Sequence, residues 1–260
     1  MELGLNNKRA LVCGSSQGIG KATALALAAE GACVTLFARN EDSLKSVLRE
    51  MPNNDRHNYL IADFSNPEGV REAVSKHIAQ HGGFHILINN TGGPKSGTLA
   101  AAIPSELETA FRMHVVCNQI LVQAVLPFMK SEGFGRIINI ISTSVKEPIE
   151  GLGVSNTIRN AVANWSKSLA TELAAFGITV NNVLPGFTET ERLNSIISIK
   201  ATQAGVTESD MTQMMRNYVP AKRFGRADEV ANAITFLSGE TASYINGINL
   251  PVDGGRTKSL

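Results

Sequence analysis

The sequence lacks the features that mark several specialised classes of protein. Its 24 Lys and Arg residues are balanced by 23 Asp and Glu residues, so no excess charge points to nucleic acid or to an anionic membrane surface. No stretch approaches the roughly 18 consecutive apolar residues of a membrane span. Because Met1-Glu2-Leu3 leads almost directly into a predicted strand, we expect no signal peptide and a cytoplasmic location.

Cysteine and aromatic residues are also scarce. The three cysteines, Cys13, Cys33 and Cys117, are an odd number and lie far apart in apolar surroundings. This pattern predicts buried, reduced thiols and argues against a disulfide framework or a metal site. Aromatic residues make up 5% of the chain and apolar residues 43%, which predicts a mostly aliphatic core. A chain of 260 residues can bury such a core as a single domain spanning 1–260.

Short β-branched runs alternate with helical periods along the whole chain. The strands are predicted at residues 9–13, 33–37, 59–61, 85–89, 136–141, 178–183 and 248–252. The helices are predicted at residues 18–30, 41–51, from Asn66 onward, and at 104–129, 154–175 and 227–237. This alternation favours right-handed crossovers and an α/β fold with a doubly wound parallel sheet that is covered on both faces.

A glycine-rich segment separates the first strand from the first helix. It consists of Gly14, Ser15, Ser16, Gln17, Gly18, Ile19 and Gly20. Glycines at this point allow a tight turn and a close approach to a pyrophosphate, and the helix N-terminus offers N–H groups and a positive potential. We therefore predict that these seven residues bind a dinucleotide. The alternative is a tight turn that needs glycine only for a positive φ.

Further motifs follow in a characteristic order. They are Asn89-Asn90-Thr91-Gly92, Gly177-Ile178-Thr179-Val180-Asn181, Pro185-Gly186-Phe187-Thr188-Glu189-Thr190, Arg223-Phe224-Gly225-Arg226 and Val252-Asp253-Gly254-Gly255. Together with the Gly-x-x-x-Gly-x-Gly spacing, they make the chain resemble the short-chain dehydrogenase/reductase family, and most of all its 3-oxoacyl-carrier-protein reductases. The resemblance implies a Rossmann-type fold and an oxidoreductase acting on a small-molecule carbonyl or alcohol. It also implies a homotetramer or homodimer.

The resemblance also assigns residues to the cofactor. Asp63 would lie near the adenine, and the segment with Pro185, Gly186, Thr188 and Thr190 would close over the nicotinamide. The other residues assigned to cofactor binding are Phe64, Asn90, Thr91 and Gly92. An acid at the end of the second strand would hold the ribose 2′-hydroxyl of NAD. The chain has Ala38 and Arg39 there, and an arginine can pair with a 2′-phosphate, so we predict NADP rather than NAD. The alternative is that Arg39 is only a solvated residue at a strand end.

The chain departs from the family at the chemistry site. The family uses Asn, Ser, Tyr and Lys, and this chain has His114, Ser142, Ser155 and Arg159 at the matching positions. A phenol titrates near a pKa of about 10, and a serine hydroxyl is far less acidic, so Ser155 is a poor proton donor by itself. Arginine keeps its charge and can fork onto ribose hydroxyls, but it does not release a proton.

The source of the proton and the nature of the cover over the site stay open. Solvent, His114 or Tyr218 can supply the proton, but His114 also falls on an apolar helical stripe that is typical of a core residue. That stripe contains Leu107, Phe111, His114, Asn118, Leu121, Val125 and Met129. Residues 190–218 would cover the substrate, with Tyr218 packed beneath them. The sequence thus predicts an NADP(H)-dependent oxidoreductase with an altered catalytic group, or alternatively a catalytically silent dinucleotide-binding sensor or partner subunit.

Overall fold

One parallel sheet organises the chain in a computed structural model that describes residues 1–259. Within those residues its strands are β1 (Arg9–Cys13), β2 (Cys33–Ala38), β3 (Asn58–Ile61), β4 (Ile86–Asn89), β5 (Gly135–Ile140), β6 (Ile178–Pro185) and β7 (Asn249–Val252). Their order across the sheet is β3-β2-β1-β4-β5-β6-β7, and every neighbouring pair is parallel. The predicted α/β, doubly wound, Rossmann-type fold is confirmed.

Helices connect the strands and cover the sheet. They are α1 (Gly18–Ala29), α2 (Glu41–Glu50), α3 (Pro67–His81), α4 (Pro104–Phe111), α5 (Cys117–Glu132), α6 (Gly153–Leu173), α7 (Glu191–Ala204), α8 (Glu208–Asn217) and α9 (Ala227–Ser238), besides short 3₁₀ turns. The Asn66 side chain caps α3, with Pro67 in its first turn, as the sequence indicates. In the part of the chain described, no helix is both long and apolar enough to cross a bilayer.

Two apolar layers form because side chains alternate between the faces of each strand. On β1, Ala10 and Val12 join a cluster with α1, α2 and α9, whereas Leu11 and Cys13 join a second cluster with α3, α5 and α6. These four side chains are fully buried. The near-continuous burial of the central strands is what a parallel sheet covered on both faces requires.

A row of asparagines crosses four adjacent strands of the sheet. Asn89 donates to Asn139 (2.8 Å), Asn139 donates to Asn182 (2.9 Å), and Asn182 donates to Asn249 (2.8 Å). Each pair is also directly opposite in the strand register. Asn139 is 1% exposed and makes a further bond to Ser166 of α6 (3.2 Å). Buried amides are stable only when paired, so this row fixes how the four strands line up.

The long helix predicted at 104–129 is interrupted. A π-helical turn, Arg112–Val116, separates α4 from α5. The extra residue of a π turn rotates the helix faces on its two sides relative to each other. His114, Asn118 and the later stripe residues are buried, but Phe111 is 44% exposed, so the prediction that Phe111 faces inward was wrong.

The cysteines are free thiols in the described chain. Cys13 and Cys117 are fully buried, as predicted, and burial raises the pKa of Cys13 far above its usual value and that of Cys117 to about 11. Cys33 is only half-buried, so the prediction of a buried thiol was wrong for this residue. It begins β2 beside Arg56, whose guanidinium donates to its sulfur (3.3 Å). Among residues 1–259 no three His, Cys, Asp or Glu side chains are grouped as metal ligands would be.

We expect Asn139→Leu to destabilise the fold strongly. The leucine would leave the buried amide of Asn89, the carbonyl of Asn182 and the hydroxyl of Ser166 without their present partner. The free energy of unfolding should fall by about 3 kcal/mol or more, measured by urea denaturation. Asn164→Leu, on the exposed face of α6, is the matched control and should change stability by less than about 0.5 kcal/mol. An equal effect of the two substitutions would contradict the role given to the row.

Candidate active site

The turn after β1 leaves no room for side chains at two of its glycines. Gly14 has φ 58°, and a Cβ there would lie 2.6 Å from the Asn90 amide nitrogen. A Cβ on Gly20 would lie 2.1 Å from the Gly14 carbonyl oxygen. Asn90 also donates to that oxygen (3.3 Å), which ties the turn to the end of β4. Both glycines are therefore required by close backbone approach, and Gly14 also by its backbone conformation.

The N-terminus of α1 presents free backbone donors. Gln17 occupies the N-cap position without a side-chain cap, and no acidic residue lies in the first turn. Unpaired N–H groups and the positive end of the helix dipole together suit a phosphate. Ser15 is fully buried and its hydroxyl accepts from the Phe37 amide (2.9 Å), which ties the turn to β2. Ser16 and Ile19 are half-buried.

Arg39 and Asp63 lie side by side at the ends of β2 and β3. Their guanidinium and carboxylate are 3.8 Å apart, and the Arg39 side chain is 75% exposed, so it can turn towards a ligand. The hydrogen bond from the Ser65 amide is the main effect that lowers the pKa of Asp63, and Arg39 lowers it further. Phe64 is a core residue whose ring lies 5.3 Å from that of Phe37. This corner suits the adenosine half of a dinucleotide and its 2′-substituent.

The segment after β6 bends back over the glycine-rich turn. Pro185 ends β6, and the Gly186 amide donates to Val252 of β7 (3.0 Å). Thr188 is buried, and Thr190 caps α7 by accepting from the Leu193 amide. A Cβ on Gly18 would lie 3.2 Å from the Thr190 methyl group, so the two segments are in contact range. Thr190 therefore lies where it can contact a dinucleotide held by the turn.

Ser142 follows β5 at the same edge of the sheet. Its hydroxyl accepts from the Ser144 amide (3.1 Å) and caps a short 3₁₀ turn, which leaves the hydroxyl proton free to be donated. Two contacts hold this loop: Asn160 of α6 donates to the Ser144 carbonyl (3.2 Å), and Arg256 donates to the Thr143 hydroxyl (3.1 Å). Ser142 is thus fixed on a short, well-anchored loop.

Ser155 and Arg159 lie one turn apart on α6 and are both 9% exposed. Residues at this spacing share a face of a helix. Nη1 of Arg159 donates to the Ile140 carbonyl (3.1 Å), which ties the guanidinium to the end of β5. Nε of Arg159 is buried without a hydrogen-bond partner among residues 1–259. Burial, with a smaller contribution from Arg192, lowers the pKa of Arg159 to about 10, so the side chain stays charged at neutral pH.

His114 lies in the π turn and is 2% exposed. Burial is the main effect that lowers its pKa well below the usual value, and the nearby Arg159 charge adds to it. A hydrogen bond to the Gly92 backbone acts in the opposite direction. Nε2 is buried without a partner within the described chain, so the bond to Gly92 uses Nδ1. His114 is therefore a neutral imidazole whose free Nε2 is an acceptor.

Two elements of this region were not predicted from the sequence. Arg192, in the first turn of α7, donates to the Pro94 carbonyl (2.8 Å) and lies close enough to Arg159 to help lower its pKa. A cavity of about 520 Å³ is lined by residues 93–98, by Val154 and by the helical face that includes Met113 and His114. A cation at a helix N-terminus opposes the helix dipole, and that is the one sequence signal that could have drawn attention to Arg192.

Tyr218 does not pack under residues 190–218. Its side chain is 75% exposed, so the prediction of a buried Tyr218 was wrong. The residue follows the end of α8, where the short apolar cluster of α7 and α8 is already filled by Leu193, Ile197, Met215 and Phe224. Tyr59, in contrast, donates its hydroxyl to Glu41 (2.9 Å), far along the sheet from Ser155.

Comparison with known proteins identifies relatives over nearly the whole chain. Residues 14–257 match a family model described as enoyl-(acyl carrier protein) reductase. The NADPH-dependent reductase BacG of Bacillus subtilis is 30% identical, and the match covers 98% of this chain and all of BacG. The 3-oxoacyl-[acyl-carrier-protein] reductase FabG of Escherichia coli is 33% identical over 97% of this chain and 98% of FabG. The crystal structure of L-sorbose reductase from Gluconobacter frateurii, complexed with NADPH and L-sorbose, superimposes with a TM-score of 0.93 at 32% identity and covers both chains fully.

Arg39→Ala should weaken binding of NADPH much more than binding of NADH. The substitution removes the cation beside the predicted 2′-phosphate, and a charge-assisted hydrogen bond of this kind corresponds to about a 10- to 100-fold change in Kd. Calorimetric titration of both cofactors measures this difference. Arg49→Ala, at the far end of α2, removes an equally exposed guanidinium and should leave both affinities unchanged. If Arg39→Ala weakens both cofactors equally, Arg39 does not contact the 2′-phosphate.

Proposed function

The chain belongs to the short-chain dehydrogenase/reductase family, and from this premise we propose that it is an NADP(H)-dependent oxidoreductase that interconverts a small carbonyl compound and its alcohol. One observation carries the proposal. Residues 90–93 extend from the glycine-rich turn, which Asn90 contacts, to the guanidinium of Arg159, which lies near Gly93. A cofactor held by the turn would therefore have its reactive end beside the polar group formed by Ser142, Ser155 and Arg159.

NADP fits the residues on this edge of the sheet. The glycine turn admits a pyrophosphate, the N-terminus of α1 is uncapped, and Arg39 is free to meet a 2′-phosphate. BacG is an NADPH-dependent reductase and L-sorbose reductase is seen in complex with NADPH, which supports the choice. When bound, the cofactor supplies or accepts the hydride. Asn90, Thr91, Gly92, Thr188 and Thr190 would surround its nicotinamide half, and Arg159 would fork onto the ribose hydroxyls.

The polar group would stabilise charge on the substrate oxygen. We expect the hydroxyls of Ser142 and Ser155 to donate to the carbonyl oxygen, and the buried charge of Arg159 to favour the negative charge that develops there. Reduction to the alcohol also needs one proton on that oxygen. Ser155 can pass a proton on but cannot generate one, because its hydroxyl is a very weak acid. The proton would therefore come from solvent and enter through the Ser155 hydroxyl.

His114 would act as an acceptor in this path. Its free Nε2 lies in the same buried region as the unpaired Nε of Arg159, a donor, and the two side chains interact electrostatically. Because burial and the Arg159 charge disfavour the imidazolium, His114 stores no proton at neutral pH. Its role would be to orient water and to receive a proton transiently.

Residues 190–218 would form the substrate cover. They comprise α7 and α8, which pack on each other through Leu193, Ile197 and Met215, with Phe224 beneath. Thr190 begins the cover next to the glycine-rich turn, so cofactor and cover meet at one point. An apolar inner face with methionines suits substrates of varied shape.

The purified protein should oxidise NADPH in the presence of a suitable ketone or aldehyde, measured by absorbance across a panel of such compounds. Ser155→Ala should lower kcat/KM by about 10- to 100-fold, because one donor to the developing oxyanion is lost, and leave the Kd for NADPH unchanged. Thr157→Ala removes an exposed hydroxyl from the same helix and should have no effect. Tight NADPH binding without turnover of any compound would instead favour a catalytically silent dinucleotide-binding sensor or partner subunit.

We also propose that the protein is a homotetramer or homodimer. Leu99, Ile103 and Phe111, on and just before α4, are 49%, 59% and 44% exposed, and large apolar side chains exposed within one segment favour association. Sedimentation at micromolar concentration should therefore give a mass above that of one 27.7 kDa chain. Phe111→Glu should shift the distribution towards the monomer, and Phe176→Glu, at an exposed site away from α4, should not. A monomer for the unmodified protein would contradict the proposal.

A further inference from the structure

Arg159 is a buried cation without an acidic partner. No ion pair in the described chain includes it, and its hydrogen bond to the Ile140 carbonyl leaves most of its N–H groups available. Nε is fully buried and unpaired within residues 1–259. A buried charge is unfavourable unless an opposite charge or several hydrogen bonds compensate for it. The ribose hydroxyls that Arg159 would contact are neutral, so the charge still calls for an anion that the chain itself does not supply.

A second guanidinium converges on the same point. A methyl group built on Gly93 would lie 3.6 Å from Nη2 of Arg192 and 3.8 Å from Nη2 of Arg159. Arg192 is held in this position by its bond to the Pro94 carbonyl (2.8 Å) and comes from the first turn of α7, where the helix dipole disfavours a cation. Two like charges that face one small space repel each other. An anion between them would remove the repulsion and bind to both forks.

The adjoining cavity is lined by one basic and one acidic side chain. Lys95 lies on its lining and adds a third positive charge. Glu106 is the acidic residue of the lining, but its carboxylate accepts from the Ile103 amide (3.2 Å) at the start of α4. The volume of about 520 Å³ is sufficient for a small organic molecule, and Gly93 lies at the boundary between the cavity and the two arginines.

We propose that Arg159 and Arg192 bind a carboxylate of the substrate, and that the substrate is a small oxo acid. The proposal deepens the proposed function and rests on it. Ser155 and Arg159 are one helical turn apart and share a face of α6. A carbonyl group at Ser155 and a carboxylate at Arg159 can therefore belong to one small molecule.

Kinetics with matched acids and esters test the proposal. Pyruvate and acetoacetate would be compared with their methyl esters as substrates of the NADPH-bound protein. We expect at least one acid to have a kcat/KM at least about tenfold above its ester. Arg192→Gln should lower kcat/KM for that acid by about 10- to 100-fold, at least about tenfold more than for its ester, because the ester makes no charge contact to lose. Arg192→Lys should retain part of the preference for the acid.

A binding measurement separates this site from the catalytic activity. Malonate, a dicarboxylate without a carbonyl to reduce, should bind the NADP-bound protein in calorimetry and should bind Arg192→Gln at least about tenfold more weakly. Arg49→Gln, an exposed guanidinium on α2, is the matched control and should change neither malonate nor NADPH binding. Malonate binding through Arg192 in a protein that turns over no carbonyl compound would support the anion site and remove the proposed activity.

Two results would overturn the anion site. Equal kcat/KM for acids and esters, in a protein that does reduce ketones, would leave the proposed activity intact and remove the carboxylate from it. Arg192→Gln could instead raise the Kd for NADPH by as large a factor as it lowers kcat/KM for the acid. That result would assign Arg192 to the phosphates of the cofactor. A tenfold change in kcat/KM or Kd exceeds what an exposed ion pair contributes, so surface electrostatics alone would not produce the expected effects of Arg192→Gln.

Discussion

The hydrogen bonds of Asn139 are the constraint on which the site depends. Asn139 joins Asn89 of β4 to Asn182 of β6, and its bond to Ser166 also fixes α6 against the sheet. A slip of one residue between these strands would leave several buried amides unpaired, which is far more costly than losing an apolar contact. The carboxyl ends of β4, β5 and β6 are therefore fixed relative to one another, and so are the starting points of the segments that follow them. α6, which carries the arginine and serine of the site, is held in the same frame.

In the proposed function, a buried positive charge takes over the stabilising role at this site, and proton donation by the protein is weak. If Ser155 and Arg159 occupy the positions of the family's phenol and lysine, as the resemblance implies, acidity is lost while a permanent cation is kept. The cation is buried, which strengthens its effect on a developing oxyanion because little water screens it. Burial also makes the empty site unfavourable, and Arg192 adds to that cost. An anion that binds would offset part of this cost. The same buried charge would therefore both bind the anion and stabilise the oxyanion that develops during the reaction.

The sequence predicted those parts of the fold that local pattern determines. The strands and main helices follow from hydrophobic periodicity, and their observed bounds differ from the predicted ones by only a few residues. The glycine-rich turn could also be placed, because the strand before it and the helix after it restrict its conformation. Periodicity failed at Phe111, since nothing in a local pattern reveals the extra residue of a π turn. Tyr218 was misplaced because the apolar residues of α7 and α8 pack on one another and leave it outside.

The pairing of Arg159 with Arg192 could not be predicted, because it depends on how residues 93–98 fold between two helices that are distant in sequence. The charge of Arg159 also affects the pKa of His114. Burial and the charge of Arg159 together keep that imidazole neutral. An anion bound to the arginines would offset the second effect and raise the pKa of His114, since a neutralised cation no longer opposes a positive imidazolium. Proton transfer through His114 would then be easiest when the substrate is in place, which couples the supply of the proton to the presence of the oxygen that receives it.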